Sequence, residues 1–87
     1  MDIPPELLDA GWAIADDGNS LEKVFRFKGF PAAIAWMVQG AFAAEALDHH
    51  PEWRNVYNRV EVRLTTHDTG GLTEKDITLA HRLEALA

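Results

Sequence analysis

Trp53-Arg54-Asn55-Val56-Tyr57-Asn58-Arg59-Val60-Glu61-Val62-Arg63-Leu64-Thr65-Thr66 is the stretch from which the architecture can be read. Val60, Val62 and Leu64 alternate with Glu61, Arg63 and Thr65, the period-two pattern of a strand with one dry and one wet face. Asn58-Arg59 reads as a tight turn, so Trp53 to Tyr57 and Val60 to Thr66 are expected to form a hairpin. If the second strand stays regular, His67 carries the parity of its polar face; a bulge would reverse that.

Upstream the periodicity changes. Ala32 to Leu47 is long enough for about four helical turns, and Gln39 and Glu45 are its only strongly polar residues. Pro31 is placed for its start, after a Lys28-Gly29-Phe30 loop. A helix that is apolar all round is covered on more than one side, and this one is shorter than the roughly 20 residues a membrane span needs. One small core covers one face, so the other is expected to meet a second copy of the chain. In front of this helix, Leu21 to Phe27 alternates, with Val24 on one side and Phe25 and Phe27 on the other. Asp16-Asp17-Gly18-Asn19-Ser20 is dense in turn formers. Trp12 to Ala15 reads as a first strand, and Pro5 to Ala10 as a short helix that Gly11 ends.

Downstream, His67 to Leu72 reads as a loop, and Thr73-Glu74-Lys75-Asp76 resembles a capping box opening a last helix. Ile77, Ala80, Leu83 and Leu86 form its inward stripe. The order is α-β-β-α-β-β-α. It predicts an α+β fold in one domain over residues 1–87, a four-stranded antiparallel sheet with helices packed on one face.

Composition narrows the function. The 87 residues contain no cysteine, which excludes disulfides, thiolate nucleophiles and cysteine-ligated metal. The net charge of −6 and scattered basic residues make a poor direct binder of nucleic acid. No Gly-rich phosphate loop, repeat or linker is present. The acidic Met1-Asp2-Ile3-Pro4-Pro5-Glu6 does not resemble a secretory signal, and a cytoplasmic location without membrane attachment is expected.

The chemistry concentrates at Asp48-His49-His50-Pro51-Glu52, with His67 beyond the hairpin. Imidazole titrates near neutral pH and suits proton transfer there. Pro51 forces His50 out of helical dihedrals, so a helix ending at Asp48 or His49 turns sharply at His50 and aims both rings into one cleft. His67, at a strand end, is expected to converge on them as an acid–base set, one imidazole protonated and one neutral. Two other readings stand beside this: surface or interface histidines, and a three-histidine zinc site with Asp48, Glu52, Asp68 and Asp76 available to orient the rings. Asp76 has a bland role as the third residue after the helix cap, and Glu45 shares a helical side with His49. Trp12, Trp53 and the phenylalanines read as core, although an aromatic beside the histidine pair would suit a flat heterocycle. His81, in the last helix, reads as solvated.

These residues together resemble the pterin-4a-carbinolamine dehydratases, the family also called the dimerisation cofactor of a hepatocyte homeodomain factor. The resemblance rests on Asp48-His49-His50-Pro51-Glu52-Trp53, Asn55-Val56-Tyr57-Asn58, Thr65-Thr66-His67 and Gly71-Leu72-Thr73 with Asp76, and upstream on Gly11-Trp12 and Phe25-Arg26-Phe27 with Phe30. It implies a lyase that dehydrates 4a-hydroxytetrahydrobiopterin to quinonoid dihydropterin and recycles the cofactor of aromatic amino acid hydroxylases, phenylalanine hydroxylase among them. It implies His49, His50 and His67 as catalytic residues, with Glu45, Asp48, Trp53, Lys75 and Asp76 around the pterin. Lys75 stands where many relatives have arginine, which keeps the charge and loses planar bidentate pairing. No metal or organic cofactor is implied, since the pterin is the substrate. Homodimers or homotetramers are expected through the 32–47 helix and a sheet edge. The competing functions are a protein-interaction module acting as a transcriptional co-regulator and a zinc hydrolase.

Overall fold

A computed structural model describes residues 1–87. The elements run α1 (Pro5–Asp9), β1 (Ala13–Ile14), β2 (Leu21–Arg26), α2 (Phe30–Ala46), β3 (Glu52–Val56), β4 (Arg59–Leu64), a 3₁₀ turn (His67–Thr69) and α3 (Glu74–Leu86). The fold is α+β in the expected order, with one antiparallel sheet of spatial order β1-β2-β4-β3. The second hairpin therefore folds back so that β4, not β3, lies beside β2.

Alternation assigns the faces. Leu21 and Phe25 of β2 and Val60, Val62 and Leu64 of β4 are buried beneath the helices. The register places Glu22, Arg63 and Glu52 in one row across the opposite face, and Val24, Glu61 and Arg54 in the next. Arg63 bonds Glu52, and both Arg54 and Arg59 pair with Glu61, so this face is a solvated ion-pair ladder.

On the helical side Ala33, Trp36, Gly40 and Ala44 of α2 are buried. Gly40 marks a close approach of α2 to α3 and β3: a Cβ there would stand 2.9 Å from Leu83 Cδ2 and 3.3 Å from the Trp53 ring. Trp36 donates its indole N–H to the Leu83 carbonyl at 3.2 Å, joining α2 to α3. Trp12 is buried, and its indole donates to Glu84 at 2.9 Å. Lys23 pairs with the same carboxylate and lies over the Phe25 ring.

Several boundaries differ from the sequence expectation. The helix expected over 32–47 spans Phe30–Ala46, since Gly29 is extended and Pro31 fits the first turn. The first strand shrinks to Ala13–Ile14, Trp12 having turned into the core. The hairpin turn is Tyr57-Asn58 rather than Asn58-Arg59: Val56 and Arg59 are paired, and Tyr57 takes φ 53°. Asn55 secures the turn by donating to the carbonyls of Tyr57 and Arg59 at 3.1 and 2.9 Å. In α3 Leu79 joins Ile77, Ala80 and Leu83 in the core, and Leu86, assigned inward by periodicity, is 38% exposed at the helix end. No helix is long and apolar enough to cross a membrane.

Candidate active site

The site begins where α2 stops. Leu47 caps the helix, and Asp48 adopts the left-handed conformation with φ 50°. The Asp48 N–H bonds Glu45 O at 3.1 Å, and the His49 N–H bonds Ala44 O at 3.0 Å. This is a Schellman termination, with aspartate where glycine is usual. The chain thus reverses at Asp48, two residues before the His50 turn expected from Pro51, and it sends His49 inward while His50 stays outside.

The His49 side chain is 9% exposed, and its Nε2 lies 2.6 Å from Oδ1 of Asp76, whose side chain is wholly buried. The other oxygen, Oδ2, accepts from the Thr66 hydroxyl at 2.8 Å and from the Thr73 N–H at 2.9 Å. Thr73 is the N-cap of α3, so Asp76 completes the capping box and holds His49 with one carboxylate. A carboxylate only accepts. In the neutral ring the proton therefore sits on Nε2, and Nδ1 keeps the lone pair. Donor counting also orders the hydroxyls. Thr66 spends its one O–H on Asp76, so in the 2.7 Å contact between the two threonines Thr73 donates to Thr66. The Lys75 N–H donates in turn to Thr73 Oγ1 at 3.3 Å. Three donors, from His49, Thr66 and Thr73, thus converge on a buried carboxylate, the condition under which its burial is tolerable.

The other rings lie outside this network. His50 Nε2 contacts Glu45 Oε1 at 2.8 Å, with side chains 63% and 77% exposed. His67 Nε2 is 3.2 Å from Glu52 Oε2. Glu52 belongs to the solvated face of the sheet, so His67 has the polar parity expected for a regular strand, although β4 itself ends at Leu64. Paired backbone bonds between Thr66 and Gly71, at 3.0 and 3.3 Å, close the loop that carries it.

No hydrogen bond joins the three rings to one another; each is held by its own carboxylate, Asp76, Glu45 or Glu52. No group of three or more His, Cys, Asp or Glu side chains is arranged to hold a metal ion, so the zinc reading lacks a ligand geometry. Trp53 packs on Trp36 with centroids 6.0 Å apart and covers Gly40, which gives it a core role. Asp48 and Lys75 are exposed beside His49 and Asp76 in sequence. An open groove of about 570 Å³ runs across the sheet; Glu52 and Trp53 line it, and none of the histidines does. His81 bonds Glu6 at 2.8 Å, and this contact is the main cause that lowers the Glu6 carboxyl below its ordinary value. Thr66 and Thr73 are the site residues whose roles the sequence reading missed: Thr66 stood in the motif and Thr73 in the cap, with no signal that their hydroxyls meet.

Comparison with known proteins adds a family. The model of pterin 4 alpha carbinolamine dehydratases matches residues 2–86. A protein of Sinorhizobium medicae (strain WSM419), provisionally named pterin-4-alpha-carbinolamine dehydratase, is 53% identical over 95% of this chain and 90% of its own length. One from Jannaschia sp. (strain CCS1), named in the same way, is 52% identical over 93% and 83%. The crystal structure of a transcriptional coactivator/pterin dehydratase from Brucella melitensis superposes with TM-score 0.88 and 48% identity over 94% of this chain and 89% of that one. A pterin dehydratase-like protein described as a RuBisCO assembly factor in the alpha-carboxysome shares the fold, with TM-score 0.76 and 23% identity over 88% and 89%.

Proposed function

The chain belongs to the pterin-4-alpha-carbinolamine dehydratase family, and from that premise we propose that it is a 4a-hydroxytetrahydrobiopterin dehydratase, a hydro-lyase acting on pterin-4a-carbinolamines. The substrate carries a hydroxyl on C4a and a proton on N5. Elimination breaks the C4a–O bond, removes the N5 proton and forms a C4a–N5 double bond, giving quinonoid dihydropterin and water. Nothing is oxidised or reduced overall, so the reaction calls for no redox partner, and the pterin is the substrate rather than a cofactor.

The observation that carries this reading is the buried His49–Asp76 pair. His49 is the general base: its Nδ1 lone pair takes the N5 proton while Asp76 steadies the cation that forms, the role an oriented carboxylate plays beside a catalytic imidazole. His67 is the general acid at the departing hydroxyl. His50 positions the pterin and stabilises developing charge, with Glu45, Asp48, Lys75 and Asp76 at the margin. The rings do not touch, and the flat bicycle would lie between them. Such positioned acids and bases each contribute about 10²–10⁴-fold. Stopped-flow dehydration of 4a-hydroxytetrahydropterin tests the assignment: wild type accelerates it, and H49A and H67A each lose most of the acceleration. Unchanged turnover in both variants refutes the mechanism.

A second copy of the chain is the proposed partner. Ile34, Val38 and Phe42 repeat at one helical spacing on the outer side of α2, and Phe42 is 74% exposed. Such a stripe is self-complementary about a twofold axis, and the unpaired edge of β3 offers a second contact. The proposed setting is cytoplasmic pterin recycling beside an aromatic amino acid hydroxylase such as phenylalanine hydroxylase.

A further inference from the structure

The contacts of Glu52 reach beyond the three histidines. Its carboxylate meets His67 Nε2 at 3.2 Å through Oε2, and Arg63 Nη1 donates to both of its oxygens at 3.0 and 3.1 Å. Glu52 and Arg63 are direct register partners on β3 and β4, so their backbones are fixed by the ladder. Arg63 is braced from its other side: its Nε lies 3.7 Å from Glu22 and its Nη2 3.7 Å from Asp17. The guanidinium therefore sits among three carboxylates, and the one that also faces an imidazole is the one it bonds most closely.

We propose that Glu52, held by Arg63, is the positioning residue for His67. It keeps Nε2–H toward the carboxylate in both the imidazolium and the neutral ring, so that the proton given to the departing hydroxyl leaves from Nδ1 and the Nε2–H tautomer remains. Its bearing on turnover rests on the dehydratase reading above. The arrangement is the outer-face counterpart of the Asp76–His49 pair, with an exposed 3.2 Å ion-pair contact in place of the buried 2.6 Å hydrogen bond. The two carboxylates approach from opposite sides of the sheet, Asp76 from the helical layer and Glu52 from the solvated ladder. Unlike Asp76, Glu52 is solvent-exposed, so its ion pairs add little to stability. What it provides is orientation, and the two effects can be separated experimentally.

The test pairs kinetics with the tautomer of His67, read by long-range ¹H–¹⁵N correlation of the imidazole at alkaline pH. Wild type is expected to show the Nε2–H form. E52Q is expected to mix the tautomers and to lower kcat about tenfold, a part of the 10²–10⁴ that a positioned acid contributes, with KM and melting temperature nearly unchanged. R63M moves both readouts the same way, and R63K restores part of each. An Nδ1–H form in wild type, or an E52Q spectrum identical to wild type, overturns the proposal. So does a shifted tautomer with full kcat in a protein whose H67A variant is inactive. If H67A itself turns over normally, the acid assignment fails, while the tautomer spectra still decide what Glu52 does to the ring.

Discussion

Nε2 of His49 stands 2.6 Å from Oδ1 of Asp76 and ties the exit of α2 to the entry of α3. Asp76 also accepts from the Thr73 backbone, so one side chain satisfies the N-cap N–H of α3 and orients an imidazole. D76N keeps the shape but gives the network an amide that cannot accept at both ends. We expect dehydration to fall by about 10² or more, on the scale of a positioned base, measured as kcat by stopped flow. Retained turnover in a folded D76N protein contradicts the assignment of His49.

The half-buried Thr66 hydroxyl is the side-chain donor to Oδ2 of Asp76 that no backbone group replaces. T66V removes it and leaves Oδ2 of Asp76 one partner short. Unfolding in urea should show a loss of about 1–3 kcal/mol, the cost of under-satisfying a buried polar group. A valine variant as stable as wild type would mean that water replaces the hydroxyl.

Gly40 is required by distance rather than by backbone dihedral. An added methyl at this position meets Leu83 at 2.9 Å and the Trp53 ring at 3.3 Å. G40A gains helix propensity, yet overpacking of about 1–3 kcal/mol outweighs that gain. The melting temperature should fall, and an unchanged or higher value would show that α2 and α3 separate freely.

The exposed Ile34, Val38 and Phe42 stripe predicts an oligomer that a charge disrupts. Light scattering of F42E is expected to report a smaller particle than wild type. If wild type is itself a monomer at low concentration, the stripe has no partner copy.

The Glu6 carboxyl is lowered chiefly by its hydrogen bond to His81. A lowered carboxyl contributes stability above its unfolded value, and that contribution disappears as pH falls through the folded value. The affected window is therefore acidic, below the ordinary 4.5. E6Q should flatten the dependence of stability on pH there and leave the neutral range alone. Since Glu6 is exposed, the change is small, and parallel acid titrations of unfolding would detect it or refute it.

The sheet could be read from sequence because period two fixes faces without knowledge of partners: Val60, Val62 and Leu64 went in as expected, and Glu61 and Arg63 went out. The helix–strand order followed from the same changes of period. Local backbone choices were harder. Tyr57 takes a left-handed φ that an aromatic rarely adopts, which moved the turn by one residue, and Asp48 does the work that Pro51 suggested for His50. At the site, residue types were informative and their pairing was not. Asp76 was visible as a cap because a cap is local, whereas its bond to His49 spans 27 residues and arises only when α2 and α3 dock. Parity gives His67 to the polar face only for a regular strand; β4 ends at Leu64, and the ring nonetheless meets Glu52 of that face. Each ring contacts a carboxylate separate from the others in sequence, which residue types alone do not reveal.

The shared use of Asp76 has a consequence for partly folded chains. The first turn of α3 and the seat of His49 are completed by the same atoms, so neither is finished before the other. Fraying at that end would switch the imidazole off outright instead of leaving a loose, promiscuous base. Loss of catalytic output would then report local melting before any global probe registers it.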